Sequence, residues 1–200
     1  MTKRVAPPLN PDRALQAYVI GLAIGDGNLS NPNGRAVRLR ITCDTKYPNL
    51  ISRISAALTE LLPKNKVSIV RGNGNYVNVS VYSNHLEGLL GWTASGGSKA
   101  RQCVSIPEWI CADHSLIISC LRGLIETDGA IYKDRGYPMV IFSTIILPLA
   151  NQVHSMMSLL GYRPHLYSVD PVLVGASRKF QVRLSRNVLA FLGSVQPVKA

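Results

Sequence analysis

One nine-residue pattern occurs twice in this chain, and the doubling constrains the fold more than any other feature of the sequence. Val19-Ile20-Gly21-Leu22-Ala23-Ile24-Gly25-Asp26-Gly27 and Leu121-Arg122-Gly123-Leu124-Ile125-Glu126-Thr127-Asp128-Gly129 carry Gly, Leu, Asp and Gly in identical columns, with Gly25 opposite the small Thr127. Each follows about a turn of helix formers and precedes strand-like sequence, so each reads as the last turns of a helix stopped by glycine at the C′ position. Two features are costly in an ordinary helix end. Small residues at i and i+4 (Gly21/Gly25, Gly123/Thr127) lower helix propensity by up to about 1 kcal/mol each, which makes sense where two backbones must approach closely. An aspartate closing the helix stands against the negative end of the macrodipole, at roughly 0.3–1 kcal/mol unless a cation is bound there. The pattern predicts two helices packed through small residues, each offering a carboxylate to a paired metal site.

The two aspartates lie 102 residues apart in a chain of 200 residues, 46% of them apolar. That suffices for one large core or two small ones, and the spacing favours two similar subdomains, residues 1–98 and 99–200, in a pseudo-twofold monomer. Lysine and arginine number 22 against 11 acidic residues, a net charge of +11 that points to a polyanionic partner. Apolar runs such as Val140–Ala150 fall short of the ~18–20 residues of a membrane span, and no signal-peptide core is visible, so a soluble, intracellular protein is expected. Cys43, Cys103, Cys111 and Cys120 form no Cys-x-x-Cys and read as buried free thiols, while the four histidines are scattered and show no zinc spacing.

Along the chain, Met1–Leu9 reads as a loose basic, Pro-rich arm, and Asn10-Pro11-Asp12 supplies an N-cap with Pro at N1 for the first motif helix. A short strand and turn follow Gly27. In Ala36–Thr42, Val37, Leu39 and Ile41 alternate with Arg38, Arg40 and Thr42, a strand with one apolar and one basic face. A helix from Pro48 to about Leu62 carries the stripe Leu50, Ile54, Ala57, Leu58, Leu61. Val67–Arg71 and Tyr76–Tyr82 flank the hairpin signal Gly72-Asn73-Gly74-Asn75. Asn84-His85-Leu86-Glu87 has capping-box spacing and opens a short helix ending near Gly91. Trp92–Gln102 reads as a linker, and Asp113 caps the second motif helix. The order then repeats, with strands at about 130–133 and 137–143, a helix through Pro148 to Leu160, strands at about 165–169 and 178–185, and a last helix ending at Gly193. Each half is αββαββα.

With two motif copies and matching flanks over nearly its whole length, the chain resembles the LAGLIDADG homing endonucleases in their single-chain form. The resemblance implies an α+β fold of two pseudo-symmetric αββαββα subdomains, each with an antiparallel sheet, together forming a DNA-binding saddle over the paired motif helices. It implies that Asp26 and Asp128 bind two or more Mg²⁺ (or Mn²⁺) ions at the helix interface and act in catalysis. On the outer sheet faces and their loops, the candidate DNA-binding residues are Arg38, Arg40, Arg71, Asn73, Asn75, Asn78, Ser80, Lys133, Arg135, Arg178, Gln181 and Arg183, because Arg, Asn and Gln suit bidentate contacts to base edges in the major groove. Lys99 and Lys199 occupy comparable places after the last helix of each half and are assigned a catalytic role in organising water and phosphate. Glu126 faces Ile24 in the other copy and is given a structural or supporting role. Where many relatives have Gln or Lys at the end of the second strand, this chain has Cys43-Asp44 and Ser143-Thr144.

The implied function is a site-specific, divalent-metal-dependent endonuclease that hydrolyses both strands of a long DNA site and leaves short 3′ overhangs, in a protein of the intron-encoded kind. Two alternatives stand beside it: a maturase that binds intron RNA on the same scaffold, and a DNA-binding regulator that does not cleave. Retention of both motif aspartates favours the nuclease.

Overall fold

The computed structural model describes residues 12–171 and 175–199; the expected N-terminal arm and the Asn10-Pro11 part of the first cap lie outside them. The chain runs α1 (Arg13–Gly25), β1 (Gly27–Ser30), β2 (Arg38–Asp44), α2 (Pro48–Leu61), β3 (Val67–Arg71), β4 (Tyr76–Tyr82) and α3 (Leu86–Leu90). After a linker come α4 (Glu108–Cys111), α5 (His114–Thr127), β5 (Gly129–Asp134), β6 (Tyr137–Thr144), α6 (Leu147–Leu159), β7 (His165–Val169), β8 (Lys179–Leu184) and α7 (Val188–Val195). Both halves are thus αββαββα, with α4 a short addition that the sequence reading did not anticipate. The two four-stranded antiparallel sheets have the same order, β1-β2-β4-β3 and β5-β6-β8-β7.

Local chemistry accounts for most boundaries. The Asp12 side chain accepts from the Ala14 amide at 2.7 Å, so the cap of α1 is Asp12 itself. Asp113 does the same for α5 through the Ser115 amide at 2.6 Å. All five residues of the α2 stripe are buried. The capping box expected at α3 is absent: no side chain caps that helix, and Glu87 instead accepts from the Ala94 amide at 2.7 Å, pinning the linker. Leu39, Ile41, Val79 and Val81 in one sheet, and Val140, Phe142, Val182 and Leu184 in the other, turn inward with no exposure and pack on the helices. Two cysteine assignments need correction. Cys43 and Cys120 are buried, but Cys103 is exposed and Cys111 half-buried, because they lie in loop and short-helix positions outside the two apolar faces. Among the described residues no helix is long and apolar enough to cross a membrane.

Candidate active site and nucleic-acid interface

The seam between α1 and α5 is the most extensive helix contact in the molecule, and its small residues make it possible. A Cβ on Gly21 would fall on the carbonyl of Cys120, one on Gly123 on the carbonyl of Tyr18, and one on Gly25 on the Thr127 hydroxyl. Thr127 is tolerated there because its hydroxyl donates back to Gly123 O at 2.8 Å within its own helix. The glycines after each aspartate work differently from a left-handed helix stop. Gly27 and Gly129 are absent from the positive-φ positions; their missing Cβ leaves room for the strand to turn back over the backbones of Ala23 and Ile125.

Asp26 and Asp128 are therefore the C-caps of two helices packed side by side. Neither carboxylate accepts a hydrogen bond from a described residue. Desolvation raises the Asp128 carboxyl to about 6, with repulsion from Asp26 adding to it and Lys99 and Lys199 opposing. Asp26 reaches further into solvent; desolvation raises it too, against Lys199 first and Lys99 second. The two lysines do converge on this place. Lys99 Nζ donates to Ile24 O at 2.5 Å and to Gly25 O, closing the C-terminus of α1, and Lys199 Nζ donates to Thr127 O at 3.0 Å at the end of α5. Each cation sits at a negative helix end, which offsets the dipole penalty that the aspartates incur. Burial lowers the proton affinity of Lys99 more than the two aspartates raise it. The lysines are crossed between the two αββαββα units: each follows the last helix of one unit and lines a hollow with the aspartate of the other. Asp26, Thr42, Cys43, Asp44 and Tyr47 share one hollow with Lys199, whereas Asp128, Ser143, Thr144 and Lys179 share another with Lys99.

The site suits hard divalent cations in one specific sense. Among the described residues no cluster of three or more His, Cys, Asp or Glu side chains exists, so the protein offers two carboxylates and no dedicated cage. Mg²⁺ is characteristically held this way, by one or two carboxylates completed with waters and a substrate's phosphate oxygens. Cys43 is a poor addition, since burial first and Asp26 second push its thiol up to about 11. Asp44 is held ionised below its usual range by the Lys46 amide and side chain.

Glu126 is wholly buried and fully occupied. It accepts from Tyr18 Oη at 2.6 Å, Arg53 Nη1 at 2.9 Å and the Val198 amide at 2.7 Å. Burial, and then the neighbouring Glu126 charge, raise the Tyr18 phenol far above its usual range. These bonds join α5 to α1, α2 and the segment after α7, connections that the sequence did not show.

The strand registers sort the expected DNA-binding residues. Arg38, Arg40, Asn78, Ser80, Gln181 and Arg183 stand on the faces turned away from the helices, and Asn73, Asn75, Arg135 and Arg178 lie in loops at the sheet ends. Arg178 is ion-paired with Asp170 at 2.8 Å. Arg71 and Lys133 are corrections. Arg71 pairs with Val77, an inward residue, and Lys133 pairs with Pro138 on the side of Val140, so both point to the helix side of their sheets at exposed ends. Alternation counted within each strand could not fix which face these residues took without the partner strand. The same registers add residues that the sequence reading missed: Asn28 beside Arg40, Ser30 beside Arg38, and Tyr167 beside Gln181. The central strand pairs show a further correspondence. Arg40 faces Ser80 in the first sheet, and at the equivalent station of the second Ile141 faces Arg183, so each half keeps one arginine there on opposite strands. Both Nε groups are buried without a partner among the described residues, which costs about 1–3 kcal/mol each unless an acceptor arrives from outside.

Comparison with known proteins agrees with this architecture. Residues 115–196 match the family model of the LAGLIDADG-like domain. A structure of I-DmoI in complex with DNA and Ca is 21% identical, covering 92% of this chain and 89% of that one with a TM-score of 0.68. The complex of I-DmoI with DNA and Mn is likewise 21% identical, covering 92% and 96%, at 0.65. The N-terminal LAGLIDADG domain of DUF199/WhiA is 15% identical, covering 94% and 86%, at 0.58. A search of the curated proteins found no match. The motif and the αββαββα order of the matched residues are both repeated in the first half of the chain.

Proposed function

We propose that this protein is a site-specific, metal-dependent endonuclease that hydrolyses one phosphodiester bond in each strand of duplex DNA, leaving short 3′ overhangs. The observation that carries the reading is the pair of carboxylates, Asp26 and Asp128, that accept no hydrogen bond from a described residue and close two helices touching through glycine, each in a hollow with the lysine that follows the last helix of the other αββαββα unit. A purely structural helix end has no use for two mutually repelling, partly desolvated carboxylates. The comparison structures support it, since I-DmoI was solved with DNA and with Mn or Ca.

The side chains divide the work. The outer sheet faces hold the duplex, with Arg40 and Arg183 finding in base or phosphate acceptors the partners they lack in the free protein. Asp26 and Asp128 would hold divalent cations, which supply Lewis-acid stabilisation of the attacked phosphate and of the leaving 3′ oxygen. Lys99 and Lys199, fixed on the helix-end carbonyls, place positive charge beside each carboxylate where negative charge develops on the phosphate. One carboxylate and one lysine on each side of the seam give one cut per strand. Incubation with a randomised duplex library and Mg²⁺, followed by sequencing of the cut ends, tests this directly. A defined site cut on both strands is expected; binding without cleavage in any divalent metal would overturn the nuclease assignment.

A further inference from the structure

We propose that Glu126, together with Arg53, is the positioning residue that delivers Lys199 to the Asp26 side of the active site, so that it governs cleavage of one DNA strand separately from the other. This rests on the endonuclease reading above. Glu126 occupies a motif column where the other copy has Ile24, so an apolar side chain satisfies the helix seam at that position. A carboxylate there is expensive unless fully bonded, and its bonds reach a particular segment. The chain leaves α7 through Gln196, whose left-handed backbone (φ 51°) turns it. Arg122 Nε then holds Val195 O at 2.6 Å, Arg53 Nη1 holds Gln196 O at 3.1 Å, and Glu126 takes the Val198 amide at 2.7 Å. Lys199 is the next residue. Its ammonium lies 3.0 Å from Thr127 O and 5.4 Å from the centre of the Tyr47 ring, in the hollow with Asp26.

Lys99 is delivered by unrelated parts. Gln102 clamps the linker by accepting from the Thr93 amide at 3.0 Å and donating to Thr93 O at 3.0 Å and Gly97 O at 3.1 Å. The Val104 amide holds Lys99 O at 3.0 Å. No described bond connects this clamp to Glu126. The two lysines are therefore set by independent devices, and damage to one leaves the other assembled.

The test uses the full-length protein and a duplex site recovered from the library, labelled separately on each strand, in single-turnover cleavage with Mg²⁺. Glu126→Gln and Arg53→Met are expected to slow the same single strand that Lys199→Met slows, by about tenfold or more, with the other strand changed less than about twofold, so that nicked product accumulates. Arg53→Lys should restore part of the lost rate. Arg53 is half-exposed, so its variant tests the idea even if Glu126→Gln does not fold. In parallel, hydrogen exchange at the Val198 amide should speed up in both variants. Equal slowing of both strands would make Glu126 a general structural residue and overturn the proposal. Faster Val198 exchange with an unchanged strand ratio would also overturn it, by separating the anchor from the lysine. A wild type that cuts neither strand would sink the endonuclease reading and the strand bias with it, while unchanged exchange in Glu126→Gln would overturn the anchor whatever the activity.

Discussion

Replacing Asp128 with Asn should stabilise the protein in a metal chelator at pH 8. Asp128 closes α5 against the helix dipole, accepts no hydrogen bond from a described residue and faces the charge of Asp26, so its ionised form is the strained one. Its folded-state carboxyl is raised to about 6 from 3.8. The folded state then binds the proton more tightly than the unfolded state, and this contribution to stability is complete below about pH 4 and lost as the pH rises through 6. At about 1.4 kcal/mol per tenfold in proton affinity, the full penalty at pH 8 is roughly 3 kcal/mol. Some of it is repulsion shared with Asp26, and the carboxylate keeps some contact with water, so about 1–3 kcal/mol is the expected gain in the Asn variant. For a chain of this length that is roughly 2–10 °C in Tm. Denaturant and thermal melts in EDTA at pH 4.5 and 8 make the measurement: the variant should exceed the parent at pH 8, and by only about a third as much at pH 4.5, where most of the folded carboxyl is protonated. Asp44 and Asp113, both held below their usual range, lose their contributions as pH falls, but equally in both proteins, and cancel in the difference. Excess Mg²⁺ should raise the parent by mass action and leave the variant nearly unmoved. A variant less stable than the parent at pH 8 in EDTA would refute the reasoning, because the carboxylate would then have to be serving the fold.

Four other outcomes are expected. Lys99→Met or Lys199→Met should slow single-turnover cleavage by about 10²-fold while binding in Ca²⁺ holds; unchanged rates in both would return them to helix capping. Arg40→Ala or Arg183→Ala should weaken binding by about 1–3 kcal/mol and relax specificity in its own half-site, whereas an even loss across site variants would mark a phosphate contact. Gly21→Ala should destabilise by more than about 3 kcal/mol in urea melts, since its Cβ meets the Cys120 backbone and not a movable side chain; a small loss would mean that the helices can part. Metal titration by calorimetry should show much weaker Mg²⁺ binding without DNA than with a cleavage-resistant duplex, because two carboxylates leave most of the coordination to water and phosphate.

The sequence disclosed the architecture well because the information was duplicated. Two glycine-spaced motifs fixed a helix pair, and strict alternation in Val77–Tyr82 and Phe180–Leu184 fixed which side of each central strand met the core. What it could not disclose was anything set by pairing between distant segments. Arg71 and Lys133 stand two residues beyond Ile69 and Ile131, on the same side of their short strands, and their cross-strand partners Val77 and Pro138 show that this is the helix side. Asn28 and Ser30 are placed on the outer sheet face beside Arg40 and Arg38 only by the register of β1 against β2. The capping-box spacing at Asn84 was equally misleading, since Glu87 finds a stronger demand at the Ala94 amide.

The site shows the same division between motif and partner. Asp26 and Asp128 could be named from two nine-residue stretches, and the lysines from their matching places after the last helix of each half. The crossing of those lysines, with Lys199 beside Asp26 and Lys99 beside Asp128, arises only when α1 and α5 pack about the pseudo-dyad. It has a physical consequence that neither half could supply alone. Each carboxylate gains its larger counter-charge from a segment that is correctly placed only if both units are folded and docked, so a half-assembled protein would keep only the lysine bonded at its own helix end. Coupling the charge balance of the site to the α1–α5 seam in this way makes the paired-carboxylate site conditional on the same close packing that Gly21 and Gly123 permit.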